Sequence, residues 1–325
     1  MSLDVFNVVR PNQKNQAGDP LALATEEFSG TVEGTIKRRS ALKGFLNVTS
    51  VRGTTNVSKR SIGSSPMQVV QAGVTPDGVP ADFSKISVLV DTHIYQRHIV
   101  PDLDTFQLDF NYRRDIGLEQ GKAHAKFLDN AMFIQAIKAA RLTTSPYGST
   151  GHLGGSQVTL ATANATDPAA VYDAVSRLFA AMEAKDVSPS EDDVILAVRP
   201  SVFYTLANAE QIINGEYVTA DGTKLTGMKI LSMFGVPVIS TNNLPNGVVT
   251  GHPLSNSRNS NAYDGDFSNV LAVAFSPKAL LVGETIPLTT EAWRDPNSKS
   301  HYVDSSTAYA ATPDRPEYAG VIQLV

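Results

Sequence analysis

Cysteine is absent from the 325 residues, which excludes disulfide frameworks, thiolate nucleophiles, thiolate-bound zinc and iron–sulfur clusters. A cationic excess is absent too. Against 32 Asp plus Glu stand 27 Lys plus Arg, so the chain as a whole has no electrostatic reason to coat nucleic acid or an anionic membrane. No stretch approaches the ~18 uninterrupted apolar residues of a membrane span. The opening Met1-Ser-Leu-Asp-Val-Phe6 lacks the basic and apolar regions of a secretory signal, and the expectation is a soluble intracellular product with no membrane partner. The Gly-rich run Tyr147–Gly155 lacks the Gly-Lys-Ser/Thr ending of a phosphate cradle and reads as a flexible connector. No Gly-x-Ser-x-Gly nucleophile elbow occurs. No catalytic residue and no cofactor is assigned.

What is present has the order of an α+β chain. Residues 1–19 read as a polar arm, because Arg10–Asp19 holds turn formers and nothing to bury. Pro20 can open a helix whose stripe is Leu21, Ala24, Phe28, Val32 and Ile36. Gly30 and Gly34 weaken it, each costing about 1 kcal/mol relative to Ala, so it needs docking.

From Thr49 to Ala72 the composition favours extended structure with few large side chains, and a second extended run follows over Phe83–Tyr95. Between them Pro76-Asp-Gly78 marks a turn. The pair predicts a long hairpin that could reach about 60–70 Å at roughly 3.3 Å per residue. Such a hairpin is marginal in water and should lie on something else. Its charges are sorted. No acidic residue lies between Gly34 and Pro76, where Lys37, Arg38, Arg39, Lys43, Arg52, Lys59 and Arg60 stand; Asp77, Asp82, Asp91, Asp102, Asp104 and Asp109 follow, with Lys85 and Arg97 among them.

A helix is predicted over Asp115–Arg141, with Leu118, Phe127, Leu128, Ala131, Ile134 and Ile137 on its apolar stripe. A strand is expected at Gln157–Ala161. Asp167 should cap a helix starting at Pro168, with Val171, Val175, Leu178, Phe179 and Met182 facing inward. Further strands are expected at Val194–Val198, Met228–Met233, Val236–Ser240, Val270–Phe275, Ile286–Trp293, His301–Ala310 and Gly320–Val325, and a helix from Pro200 through Leu206 toward Ile213. The Asn- and Ser-rich loop Asn242–Asn269 should be exposed and variable in conformation.

Several phrases together resemble the major capsid protein of tailed bacteriophages with the Hong Kong 97-type fold, most nearly the short-tailed podovirus type. They are Asp19-Pro-Leu-Ala-Leu23 with Phe28-Ser-Gly-Thr-Val32, the strand-Arg199-Pro200-helix step, Phe234-Gly-Val-Pro-Val-Ile-Ser240 with Leu244-Pro245, Phe275-Ser-Pro-Lys-Ala279, and Arg315-Pro-Glu-Tyr-Ala-Gly320. The resemblance implies an N-terminal arm (1–48), an extended loop (49–96), a peripheral domain (97–145 and 285–325) with a spine helix over 115–141, and an axial domain (146–284). It implies a non-enzymatic structural protein that assembles through hexamers and pentamers into an icosahedral head around double-stranded DNA. A scaffolding protein, a portal protein and a decoration protein would be partners, packaged DNA a non-specific neighbour, and the host cytoplasm the place of assembly into the virion capsid.

The hairpin is then read as a clasp between subunits, with Arg38, Arg39, Arg52, Lys59, Arg60, Asp77, Asp82 and Lys85 as the contact residues. Charge there would set register and association rate more than affinity. The alternative is a hairpin folded against its own domain, or one that pairs its basic arm with its acidic arm internally. Some capsids of this fold crosslink a loop lysine to a neighbour's asparagine; Lys85 alone is placed for that, and the podovirus-type resemblance argues against it. Two other readings stand beside the shell: an encapsulin-like nanocompartment, and a metal-dependent hydrolase using His98, Asp102 and Asp104. The Pro-containing run does not converge these three. Asp264-Gly-Asp266 lacks the later Glu of a calcium loop and reads as a turn.

Overall fold

The computed structural model describes residues 31–36, 40–65, 67, 69–73, 75, 78, 80–107, 112–149, 151–209 and 232–325. Strands β1 (Val48–Ser50), β2 (Asn56–Ile62), β3 (Phe83–Leu89) and β4 (Ile94–Pro101) are followed by a short helix α1 (Asp102–Gln107) and the long helix α2 (Tyr112–Arg141). Next come β5 (Ser156–Leu160), α3 (Pro168–Glu183), β6 (Ile195–Val198), α4 (Pro200–Ala207), β7 (Ser232–Met233), β8 (Val236–Ser240), β9 (Val248–Val249), β10 (Gly265–Asp266), β11 (Val270–Phe275), β12 (Leu280–Asp295), β13 (Ser300–Pro313) and β14 (Ala319–Leu324). The predicted helix ending at Arg141 and the helix capped by Asp167 are both present. The Asp167 carboxylate accepts from the Ala169 N–H, and Val171, Val175, Leu178, Phe179 and Met182 are buried. The expected arm helix before Thr31, the continuation of α4 to Ile213 and the strand before Ser232 fall outside the described residues.

Helix α2 is the wedge of the fold. Its second half, Ala131 to Ala140, carries Met132, Phe133, Ile134 and Ile137 buried on all sides rather than on one stripe. It lies between two sheets. One is four-stranded, β1-β12-β13-β4; the other has six strands, β5-β14-β11-β6-β8-β7. Strand β11 shows why its run is apolar without alternation. Val270, Val273 and Phe275 face the α2 core, whereas Leu271, Ala272 and Ala274 face the core under α3 and α4, as expected of a strand covered on both faces. The arm's residues 31–36 are helical, and Val32 and Ile36 pack with Ala125 and Val303.

Three expectations are corrected. The hairpin ladder is seven rungs, from Asn56↔Leu89 to Ile62↔Phe83, about 23 Å at 3.3 Å per residue. The sequence run through Tyr95 breaks at residues 90–93, and its remainder becomes β4 on the edge of the four-stranded sheet. Pro66, Pro76 and Pro80 lack the N–H that a longer ladder would use.

The Gly-rich run is a packed junction, not a flexible connector. The Gly155 N–H donates to Leu142 at 2.7 Å, and Lys185 Nζ donates to the carbonyls of Gly154 and Gly155 at 3.0 and 2.7 Å. A Cβ on Gly154 or Gly155 would lie 2.2 or 2.4 Å from a backbone oxygen.

The Asn-rich loop is exposed along much of its length, as expected, but it is not a loose loop: its polar side chains bond to its own backbone around a buried centre. Asp264 accepts from Ser255 Oγ and from the N–H groups of His252 and Gly251 at 2.7–3.0 Å, which holds its carboxyl below the usual range. Asn256 and Asn259 bond within the loop, and Asn256 also donates to Asp91. Leu254, Tyr263 and Phe267 are buried. His252 stacks between Phe127 and Tyr263 at 5.4 and 5.3 Å. The Tyr263 hydroxyl accepts from the Ala311 N–H and donates to its carbonyl, and burial pushes it up to about 12.

Candidate assembly surface

Directly opposed residues of an antiparallel pair share a face, and this divides β2–β3 into two dissimilar faces. The seated face holds the pairs Val57↔Val88, Lys59↔Ile86 and Ser61↔Ser84. Val57, Ile86 and Val88 are buried with Tyr147, Leu281, Ala308 and Ala310. Gly283 of β12 makes room for this seat, since a Cβ there would lie 2.6 Å from Val57 Cγ2. Polar contacts fix the same face. Lys59 Nζ donates to Asp314, a buried carboxylate that also accepts from the Tyr147 hydroxyl. Burial and the Asp314 contact push the Tyr147 phenol far up. Ser61 meets His152 at 2.8 Å, and Ser84 meets Ser149 at 3.1 Å.

The opposite face holds Ser58↔Ser87, Arg60↔Lys85 and Ile62↔Phe83, and all six are exposed. Phe83 is 71% and Ile62 60% exposed. Arg60 and Lys85 are cations directly opposite each other, a destabilising arrangement, and neither has a side-chain partner among the described residues. Beyond the ladder Met67 and Val69 are also fully in solvent. Of the eight sequence-predicted contact residues, Arg60 and Lys85 thus come together on one open face, while Lys59, their neighbour in sequence, is turned inward. Arg52 and Asp82 are exposed nearby; Arg38, Arg39 and Asp77 lie outside the described residues.

The proposed metal grouping disperses. His98 Nδ1 contacts Gln120 at 2.9 Å on the helix side of β4. Asp102 faces Arg294 and His301, and the Arg294 hydrogen bond lowers its carboxyl pKa. Asp104 is exposed. Among the described residues no group of three or more His, Asp or Glu side chains could hold a metal.

A second surface was not foreseen. On the outward face of β4-β13-β12, Tyr95, Arg97 and Ile99 stand beside Tyr302 and Asp304, which stand beside Trp293 and Glu291. Arg97 makes a two-pronged contact with Asp304 at 2.7–3.1 Å, and Tyr95 donates its hydroxyl to the same carboxylate. The guanidinium lies 5.0, 5.0 and 5.4 Å from the rings of Tyr95, Trp293 and Tyr302. Trp293 and Tyr302 are stacked at 5.4 Å and 7°. Tyr95, Ile99 and Trp293 remain 47%, 54% and 37% exposed. The alternation in Tyr95-Gln-Arg-His-Ile99 was the available signal; its partners on β12 and β13 are about 200 residues away in sequence.

Among the solved structures similar to this chain are capsids and a virus-like particle. The capsid of cyanophage P-SCSP1u matches with TM-score 0.74 at 18% identity, over 86% of each chain. The mature capsid of bacteriophage PhiM1 matches with TM-score 0.72 at 23% identity, over 88% of this chain and 87% of that one. A virus-like particle from Pyrococcus furiosus matches with TM-score 0.56 at 14% identity, over 92% and 99%. No curated protein matches the sequence. The fold is therefore the Hong Kong 97-type. The family model described as phage capsid protein matches residues 102–324, from the start of α1 to the end of the last strand, and the chain belongs to that phage capsid protein family.

Proposed function

We propose that this capsid shell protein works as a podovirus-type head subunit, assembling through hexamers and pentamers into an icosahedral shell around packaged DNA. The two-faced hairpin carries this reading: one face is fixed to its own subunit, and the other leaves in water two large apolar side chains and a cation pair that has no anionic partner among the described residues. Extended obligate interfaces of roughly 2,000–5,000 Å² are the usual means of covering such surfaces, and many modest contacts per subunit add through multivalency. The arm, hairpin, peripheral and axial regions fit the family plan at 1–48, 49–96, 97–145 with 285 onward, and 146–284. Strand pairing favours one change, in which residues 319–324 belong with the axial sheet, since β14 lies between β5 and β11. Scaffolding, portal and decoration proteins as partners, and assembly in the host cytoplasm, belong to the same proposal. The acidic balance suits a wall that must release its DNA.

The encapsulin-like alternative shares the fold only; the family match favours a phage shell. Expression of the chain alone and with its neighbouring gene products tests the proposal. Closed, angular particles in electron micrographs are expected, and an exclusively monomeric chain under all those conditions would refute it.

A further inference from the structure

A cavity of about 70 Å³ opens where the arm, helix α2 and the four-stranded sheet meet. Ile36 and Leu46 of the arm, Leu128 and Met132 of α2, and Val282 and Leu288 of β12 make its walls apolar. The polar groups around it are few and mostly engaged. His124 Nε2 meets Ser305 Oγ at 2.9 Å, and the Thr307 hydroxyl donates to the Ile286 carbonyl at 3.2 Å. The Tyr309 hydroxyl has essentially no accessible surface and no hydrogen-bond partner among the described residues, so it is closed to anything in the cavity. By volume the space would take about five waters at roughly 10–15 Å³ each, but a buried water needs about two to four polar partners. Such a wall suits carbon better than water. Two half-buried charges complete the lining, Lys43 and Glu284. They have opposite signs and feel each other's field, yet neither forms an ion pair among the described residues.

We propose that this cavity binds a small uncharged amphiphile, a phenol or a short alcohol, with its apolar body against Leu128, Met132 and Val282 and its hydroxyl at Lys43 and Glu284. The charges decide the class. An anion would gain Lys43 but meet Glu284, a cation would gain Glu284 but meet Lys43, and both would leave water for a largely apolar site. A hydroxyl can accept from the ammonium and donate to the carboxylate at once. An occupant touches arm, helix and sheet together, so it fastens the arm and stabilises the subunit by mass action. The site lies within one subunit and does not depend on the shell reading.

Phenol titrated into dispersed subunits is the probe, read by magnetic resonance of isotope-labelled methionine methyls. Met132 is one of six methionines, and its signal, identified by Met132→Leu, should shift saturably. Met182, in the core under α3, should not shift. Benzoate and benzylammonium should bind at least about tenfold more weakly than phenol, equivalent to about 1.4 kcal/mol. Glu284→Gln leaves Lys43 as the lone charge of the lining at neutral pH and should bring benzoate level with phenol or ahead of it. Lys43→Met should do the same for benzylammonium. No saturable Met132 shift with phenol, or a ranking of the three probes that both variants leave unchanged, would overturn the site. Either result leaves the shell reading intact.

Discussion

Lys59 and Arg60 are adjacent cations on one strand, and the geometry requires opposite outcomes when each is changed. Lys59→Met removes an ammonium from Asp314, whose side chain is 1% exposed while that of Lys59 is 43% exposed. Leaving a buried acceptor short of a donor costs about 1–3 kcal/mol. Half-exposure of the lysine discounts this, and the Tyr147 hydroxyl remains in place, so a loss of about 1–2 kcal/mol is expected, seen as a Tm lower by about 1.5–3 °C in a chain of this size. Arg60→Glu touches no partner among the described residues and turns the opposed pair with Lys85 into an attractive one. The dispersed subunit should therefore melt at the same temperature or slightly higher, yet fail to form shells. Thermal melts of subunits, with sedimentation to count particles, separate the two effects. An Arg60→Glu subunit whose Tm falls as far as that of Lys59→Met, or one that assembles at the unaltered yield, would refute the two-faced hairpin.

Two further outcomes follow from buried polar groups. Asp129, fully buried on α2, accepts from Ser40 Oγ, the Ala41 N–H at 3.0 Å and Asn243 Nδ2 at 3.0 Å; Asp129→Ala should cost about 2–4 kcal/mol and make the arm after Ser40 protease-sensitive before the core, read by limited digestion. Burial lowers the pKa of both His124 and His252, and His252 Nδ1 accepts the Leu254 N–H, so its proton sits on the other nitrogen. The folded state thus binds fewer protons than the unfolded chain below about pH 6.5. Stability is complete above that pH and falls beneath it, by at most about 1.4 kcal/mol per pH unit for each histidine; denaturant midpoints from pH 7.5 to 5 should show the fall, and His252→Gln should flatten it.

Elements whose signal is local were legible in the sequence. The Asp167 cap with Pro168 and the unbroken apolar run of β11 both map onto the fold as read. Where long-range pairing decides, the sequence was mute. The run over 83–95 does not say that its second half pairs with β13, nor that Lys59 meets Asp314, 255 residues away. The Asn-rich loop misled because asparagine serves equally for solvation and for internal capping, and only the buried Leu254, Tyr263 and Phe267 distinguish the two. The Gly-rich run misled likewise: glycine permits flexibility, but here it permits contact with the end of α2. The aromatic face escaped notice because its members come from three strands and meet only across the sheet.

On the proposed shell function, each hairpin has one face fixed to its own subunit and one covered by a sister copy. An image reconstruction of assembled particles, at a resolution that shows side chains, tests it most directly. Val57 and Val88 are expected on Gly283 of the same chain, with Arg60, Lys85 and Phe83 covered by another. Density in which those three residues face solvent, or fold back onto their own subunit, would contradict it.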